Sequence, residues 1–358
     1  MEFKLARDSQ QVLLYFGAPL TQLIENQHEL FKQTSHFLII VNQTNYDSYY
    51  EKIQLLLRKQ RQQYWYVCPN NSQSSNLAEF ERVLSYSIEM ELDTQVCVIA
   101  FGDAGVIQLS GFFSSVYLGG VTLLELPTTL MSLEQTLGGR AGLNHSLSRN
   151  VVSVVKHSRG IFLESRFLRE NTLSEIRIGF SRWVRLALGL DLPFYHNLMQ
   201  EFGTEKQLQE KSLIPYLTSY FALHQLENES GNELSKKFGT EFQQACNSFS
   251  EDSRNSSEND VFLISLGFSL FVSVRLMSGV FDLDSWFSWL DRLGYSFILP
   301  ESWLTSELVE RLLKSGGDKK NFLLIVRTSN EELNKVEITL ADLVMYVEDY
   351  RSWLAEKK

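Results

Sequence analysis

A glycine-containing turn, Gly102-Asp103-Ala104-Gly105, follows directly on the apolar run QVCVIAF at residues 95–101. Such a turn after a parallel strand brings backbone N–H groups close to a pyrophosphate, because the first N–H groups of the next helix have no partner inside it. The turn is not specific alone: any α/β protein uses glycine between strand and helix, and the third glycine of the dinucleotide fingerprint is missing. The six histidines, His28, His36, His145, His157, His196 and His224, show neither HExxH nor clustered spacing, so they read as ordinary surface or capped histidines. Cys68, Cys97 and Cys246 are scattered and odd in number, which suits reduced thiols better than a disulfide framework or a metal knuckle.

The elements that must position these residues follow from the bulk numbers. A chain of 358 residues suits two domains, and an apolar fraction of 44% is that of a globular protein. The formal charge is −10 and no Lys/Arg-rich run occurs, so the electrostatic footprint of a nucleic-acid binder is absent. The start, MEFKLARDSQ, lacks the apolar region of a signal peptide. The longest apolar run, VFLISLGFSLFVSV at residues 261–274, lies between Asp260 and Arg275. It is too short to span a bilayer and reads as a buried core helix. A cytoplasmic protein with no membrane or nucleic-acid partner is expected.

Residues 37–41, 64–68 and 95–101 read as buried strands, and residues 46–60 and 77–92 as the helices between them. Strand, helix, strand, helix, strand is the order of a doubly wound parallel sheet. After about residue 155 helical spacing dominates, over 174–190, 192–202, 213–226, 233–249, 261–277 and 283–293; residues 322–326 remain as a strand candidate. The polar, Ser-rich stretch 248–259 reads as an exposed loop. The expectation is a Rossmann-like domain over 1–155 and an all-helical domain over 156–358.

A longer series of motifs carries a family resemblance. Gly102, Val106, Leu109, Gly111 and Phe112 are followed by LELPTTL at 124–130, by Gly138, Gly139, Gly142 and Asn144, and by Asn150. Then come Glu175 to Gly179, the run Glu227-Asn228-Glu229-Ser230-Gly231, and Asp318-Lys319-Lys320. The series resembles the dehydroquinate synthases of the sugar-phosphate cyclase superfamily and covers nearly the whole chain. That resemblance implies a nucleotide-binding-type α/β domain, a helical metal and substrate domain, NAD and zinc as cofactors, and a dimer. It assigns Gly102, Gly105, Thr128 and Thr129 to the cofactor.

The departures from the family pattern bear on function. The family's metal ligands, a Glu and two His, match Arg182, Thr240 and Asp260, and a guanidinium has no lone pair to give a cation. The second His of GHTxGH falls at Gln244, which does not shuttle protons near neutral pH. Ser72 and Ser75 replace the Glu and Lys that hold the cofactor's adenosine end, and Asp103 stands in the glycine triplet. Gln108, Gly119, Ser219, Glu233 and Lys237 replace further family residues, whereas Arg140, Arg149 and Arg185 keep the charge of family lysines.

Three readings of the altered site stay open. Arg182 and Asp260 pair across the metal position. Or Arg140, Arg149, Arg182 and Arg185, with Asn144, Asn150, Lys319 and Lys320, gather as an anion pocket. Or each arginine is solvated or locally paired. The functional expectation is a dehydroquinate synthase-like pseudoenzyme that acts through partners, as a homodimer or as a heteromer with an active cyclase or another enzyme of its pathway. It expects no zinc, and NAD bound weakly if at all. The alternatives are a divergent metal-independent cyclase-type enzyme, or a sensor, for an anionic small molecule.

Overall fold

The structure is a computed structural model. It describes residues 1–7, 10–25, 34–57, 62–69, 74–145, 148–229, 231–247, 249, 258–316, 321–329 and 332–357. The chain divides into two compact units, Met1–Gly179 with Ser212–Phe221, and Phe180–Lys211 with Ala222–Lys358.

The first unit is built on a seven-stranded sheet. Its strands are β1 (Glu2–Arg7), β2 (Gln10–Phe16), β3 (His36–Asn42), β4 (Gln62–Cys68), β5 (Val96–Gly102), β6 (Thr122–Pro127) and β9 (Ser158–Leu163), in the order β1-β2-β9-β6-β5-β3-β4. Only the β1–β2 pair is antiparallel. Strand β3 shows why the sheet is sandwiched. Phe37, Ile39 and Val41 face one core, and Leu38 and Ile40 the other, as the period of two along a strand requires. Helix α1 (Leu20–Glu25) brings Leu20 to the first face, and α2 (Gln43–Leu57) covers it with Tyr49, Ile53 and Leu57, four residues apart. Helices α3 (Leu77–Glu89) and α4 (Ala104–Val116) cover the second. Each fully buried Leu, Ile or Phe of these clusters contributes ~1.5–3 kcal/mol. Beneath α4, Lys156 and Glu125 form a completely buried ion pair, and the Ser158 hydroxyl donates to the second carboxylate oxygen of Glu125. An antiparallel ribbon, β7 (Arg140–His145) with β8 (Ser148–Val155), packs on α4.

Strand β9 belongs to the parallel sheet and lies past residue 155, so the sheet unit extends beyond the boundary that sequence texture suggests. The strands β1, β2, β6, β7, β8 and β9 were not foreseen. β1 with β2 and β7 with β8 are tight antiparallel hairpins of mixed polarity, while β2, β6 and β9 take their parallel partners from distant segments.

The second unit is helical, with one hairpin. Helix α7 (Leu173–Leu190) runs into it; α8 (Leu192–Glu201), α9 (Glu205–Glu210), α11 (Glu233–Lys237), α12 (Glu241–Asn247), α13 (Glu258–Leu276), α14 (Leu283–Arg292), α15 (Thr305–Gly316) and α16 (Leu340–Glu356) belong to it. The strand expected near 322–326 is β10 (Asn321–Arg327), paired with β11 (Leu333–Thr339). Tyr350 on α16 donates its hydroxyl to the Ile264 carbonyl at 2.9 Å, pinning α16 to α13. Helix α13 has 19 residues, longer than the apolar run suggested, and is long and apolar enough to cross a membrane by those criteria alone. However, 72% of its span Asn259–Leu276 is buried inside the protein, the environment of a core helix.

Two helices differ from expectation. The helix expected over 233–249 is two, α11 and α12, broken at Gly239. Its φ is +74°, and a Cβ there would lie 2.7 Å from Leu266, so both conformation and space require glycine. The helix expected from 213 starts as the turn Ile214–Tyr216 and becomes α10 (Leu217–Asn228). The loop expected over 248–259 lies mostly outside the described residues, although Asn259 is already in α13.

Candidate functional site

In the first unit the carboxyl ends of β3, β5 and β6 open into a cleft of about 420 Å³. This is where open α/β sheets place ligands. Its walls are Asn42, Thr44, Asn45, Ser48 and Tyr49 from the β3–α2 end, Asp103 after β5, and Thr128 and Thr129 after β6. Phe167, Glu170, Asn171, Thr172 and Glu175 close it from α6 (Ser165–Arg169) to the first turn of α7.

Asp103 is the residue that defines this cleft. It is the N-cap of α4, its Oδ1 accepting the Val106 amide at 3.0 Å. The protein's own carboxylate thereby takes a first-turn N–H that a phosphate would need. Burial pushes the Asp103 carboxyl above its ordinary value; the Val106 and Gly105 amides pull it back, and the Glu175 charge pushes it further up. Glu175 closes a capping box at α7: its Oε2 accepts the Thr172 amide and hydroxyl, both at 2.8 Å. Glu170 accepts from the Tyr49 hydroxyl and from Arg166 Nε. Among the described lining residues there is no lysine or arginine.

The residues assigned to NAD are engaged elsewhere. Thr129 caps α5 (Leu130–Leu137) through a capping box with Ser132. Thr128 accepts Asn45 Nδ2 at its hydroxyl and Asn171 Nδ2 at its carbonyl, and donates its amide to the Gly102 carbonyl. At Gly102 a Cβ would meet Asn42 Oδ1 at 2.9 Å and Val106 at 3.0 Å, so its space is closed by protein rather than left for phosphate. Gly105 is buried within α4. Ser75 is buried, bound to Asn144 through its hydroxyl at 3.1 Å and its carbonyl at 2.7 Å; Ser72 lies outside the described residues. Gln108 binds the Gly142 amide at 2.6 Å and Gln135, tying the β7–β8 ribbon to α4 and α5. A carboxylate on the first turn and an acidic rim do not fit a pyrophosphate.

The positions matched to zinc ligands lie in the second unit. The Arg182 guanidinium on α7 stands 3.4 Å above the Phe262 ring, a cation–π contact. Thr240 donates its hydroxyl to the Lys237 carbonyl at 2.8 Å. Asp260 lies in the first turn of α13. A guanidinium, an engaged hydroxyl and one carboxylate do not make a zinc donor set. No group of three His, Cys, Asp or Glu suited to a metal occurs among the described residues.

The expected anion pocket is corrected at Arg185. Its Nη1 donates to Glu227 Oε1 at 2.7 Å and to the Ser235 carbonyl at 2.6 Å, and its Nη2 to Glu227 Oε2 at 3.1 Å. Both partners are buried, so this guanidinium is a clamp inside the helical unit. Burial raises the Glu227 carboxyl, but the Arg185 charge and hydrogen bond, with His224 and Lys236, bring it below its ordinary value. Arg140 is exposed and donates to Ser153 at 3.3 Å, and Asn144 is taken by Ser75. The side chains of Arg149, Asn150, Gln244, Lys319 and Lys320 lie outside the described residues.

All three cysteines are buried and none is in a disulfide, and burial pushes the Cys97 thiol up to about 12, where it is inert. Trp183, Trp286, Trp289 and Phe287 are all buried, so none of these aromatics offers a docking surface.

Comparison with known proteins follows the same outline. A family model described as 3-dehydroquinate synthase N-terminal matches residues 65–178. A 3-dehydroquinate synthase of Listeria monocytogenes is 27% identical over 293 residues, 80% of this chain and 79% of that protein. One from Listeria innocua is 24% identical over 339 residues, covering 93% and 92%. The 2-epi-5-epi-valiolone synthase of Streptomyces hygroscopicus, solved with NAD+ and Zn2+ bound, superposes with a TM-score of 0.82 over 99% of both chains at 15% identity. The chain is a dehydroquinate synthase-like protein. A 2-deoxy-scyllo-inosose synthase superposes on this dehydroquinate synthase-like chain with a TM-score of 0.79 at 14% identity, over 98% of it and 100% of that enzyme.

Proposed function

We propose that this dehydroquinate synthase-like protein does not carry out the zinc- and NAD-dependent cyclisation and acts through protein contact. The observation that carries the reading is Arg182. A permanent cation stands on the matched position of a metal-binding carboxylate and is held over Phe262 at 3.4 Å. Two further features support it: the Thr240 hydroxyl is committed to Lys237, and Asp103 caps the helix a pyrophosphate would need. The partner is a second copy or an active cyclase subunit. Leu340, Val344 and Met345 on α16, and Leu276 and Met277 at the end of α13, are exposed and supply apolar surface for it.

The test has two parts. Purified protein is incubated with zinc and NAD, desalted and assayed for bound zinc, for NAD by calorimetry, and for cyclisation. The expected result is no stoichiometric zinc, no NAD binding below millimolar concentration and no turnover; zinc-dependent turnover would overturn the reading. Co-expression with an intact 3-dehydroquinate synthase, followed by light scattering of the purified complex, tests the partner. A monomer that stays apart from the cyclase removes the contact role.

A further inference from the structure

Strand β1 closes one edge of the seven-stranded sheet, with β2 on one side and no strand on the other among the described residues. The hairpin fixes which backbone groups face the open side. Met1 and Phe16 exchange both of their hydrogen bonds, the Met1 nitrogen donating to the Phe16 carbonyl at 2.8 Å and the Phe16 amide to the Met1 carbonyl at 3.0 Å. In an antiparallel pair such residues alternate with residues whose N–H and C=O point away. Phe3 and Leu5 therefore bond to β2, and Glu2 and Lys4 turn their N–H and C=O to the open edge. A row of this kind is a template for another strand.

The side chains decide which strand. Glu2 and Lys4 lie on one face of β1, both exposed, and neither is in an ion pair among the described residues. Their charges are opposite and they stand two residues apart, so this edge is complementary to itself. When β1 meets a second β1 antiparallel about a two-fold axis at Phe3, Glu2 of each copy lies directly opposite Lys4 of the other. Both become hydrogen-bonded pairs built from the outward amides and carbonyls, and each adds opposite charges across the join. The two Phe3 residues form the closer, non-hydrogen-bonded pair at the centre. Phe3 is half-buried, its ring 5.5 Å from that of Phe221, so the centre is apolar and already anchored in the first unit. Moving the axis one residue on, to Lys4, sets the two lysines against each other, which is unfavourable. Charge thus selects both the partner, a second copy, and the register.

We infer that the β1 edge is an interface between two copies of this chain, with β1 paired antiparallel to β1 about a two-fold axis at Phe3, so that the two sheets join edge to edge. This surface is distinct from the one on α16, and the inference does not depend on the loss of catalysis proposed above.

The experiment is analytical ultracentrifugation of the full chain over a concentration series. Wild type is expected as a reversible dimer. Lys4→Glu sets carboxylates opposite each other, and Glu2→Lys sets ammonium groups opposite each other; each is expected to weaken dimerisation by at least about tenfold. Both side chains are exposed, so the fold tolerates these changes. The double variant Glu2→Lys, Lys4→Glu restores the complementarity and is expected to dimerise within about threefold of wild type. The two single variants, mixed, are expected to form a heterodimer, because each supplies the sign that the other lacks. A wild type that stays monomeric at millimolar concentration, a dimer indifferent to the single reversals, a double variant that stays apart, or single variants that do not combine would each overturn the inference. Turnover with zinc and NAD would overturn the proposed function and leave this result standing.

Discussion

Arg185 grips Glu227 with both prongs of its guanidinium, at 2.7 and 3.1 Å, inside the helical unit. The pair joins α7 to α10, and the same guanidinium reaches the Ser235 carbonyl in α11. A charge that sequence comparison placed in a ligand site is therefore spent on three helices of the scaffold.

Glu227→Ala leaves Arg185 buried without its counter-charge. The expected cost is ~3–5 kcal/mol in urea unfolding, whereas the double variant Arg185→Met, Glu227→Met loses much less. Because Glu227 is held below its ordinary value of 4.5, its contribution is present above that pH and is lost as pH falls through its folded value. A wild-type stability profile whose acid side is unchanged in Glu227→Gln would count against this.

Glu241 runs in the opposite direction. Burial raises its carboxyl from 4.5 to about 7, although its own amide and those of Ile325 and Thr240, with Lys237, pull it down. Between those two pH values the folded chain keeps a proton that the unfolded chain has released. Stability from this group is thus full below about 4.5, falls as pH rises, and is flat above about 7. Glu241→Gln keeps an oxygen for the Ile325 amide, now accepted at 3.1 Å, and is expected to be ~1–3 kcal/mol more stable than wild type at pH 8. Equal stability of the two proteins there would refute the assignment.

Arg182→Gln removes the cation over Phe262. Unfolding in urea is expected to show a loss of ~0.5–2 kcal/mol, and Phe262→Leu in the Arg182→Gln background should cost less than in wild type, because the two groups share one interaction. Additive losses would mean that the ring and the guanidinium act independently.

Asp103→Ala deletes the cap of α4 and is expected to cost ~1 kcal/mol, while Asp103→Asn, a cap of equal quality, keeps stability within about 0.5 kcal/mol. Thermal or urea unfolding that ranks Asn with Ala would show that the carboxylate matters for something other than the Val106 amide.

Much of the sheet could be read from the chain because its strands are buried on both sides and its helices are amphipathic. FLIIV at 37–41 and VCVIAF at 96–101 have one stable use in water, and the glycine turn at 102 marks where the second ends. The second unit was legible as helices but not in their ends. The break at Gly239 needs Leu266, 27 positions away, to close the space around it. Strands β10 and β11 exist only as each other's partners, as do β7 and β8. The capping box Thr172–Glu175 was a findable signal, since a Thr three residues before a Glu at the start of an apolar run is a helix beginning.

The sequence by itself determined the donor chemistry of single residues: Arg182 and Thr240 are poor zinc ligands wherever they lie, because lone pairs belong to the residue type. It also determined the α/β and helical halves, because hydrophobic period is local. Tertiary structure alone decided what the retained charges do. Arg185 became a clamp because α10 brings Glu227 to it across 42 residues, and Asp103 became a cap because β5 ends one residue before it. Asp103 and Glu175, 72 residues apart in sequence, face one cleft only because the strand ends and the start of α7 meet there. Charge is carried by the residue, but its effect depends on which distant groups share its low-dielectric surroundings, and that is set by the fold.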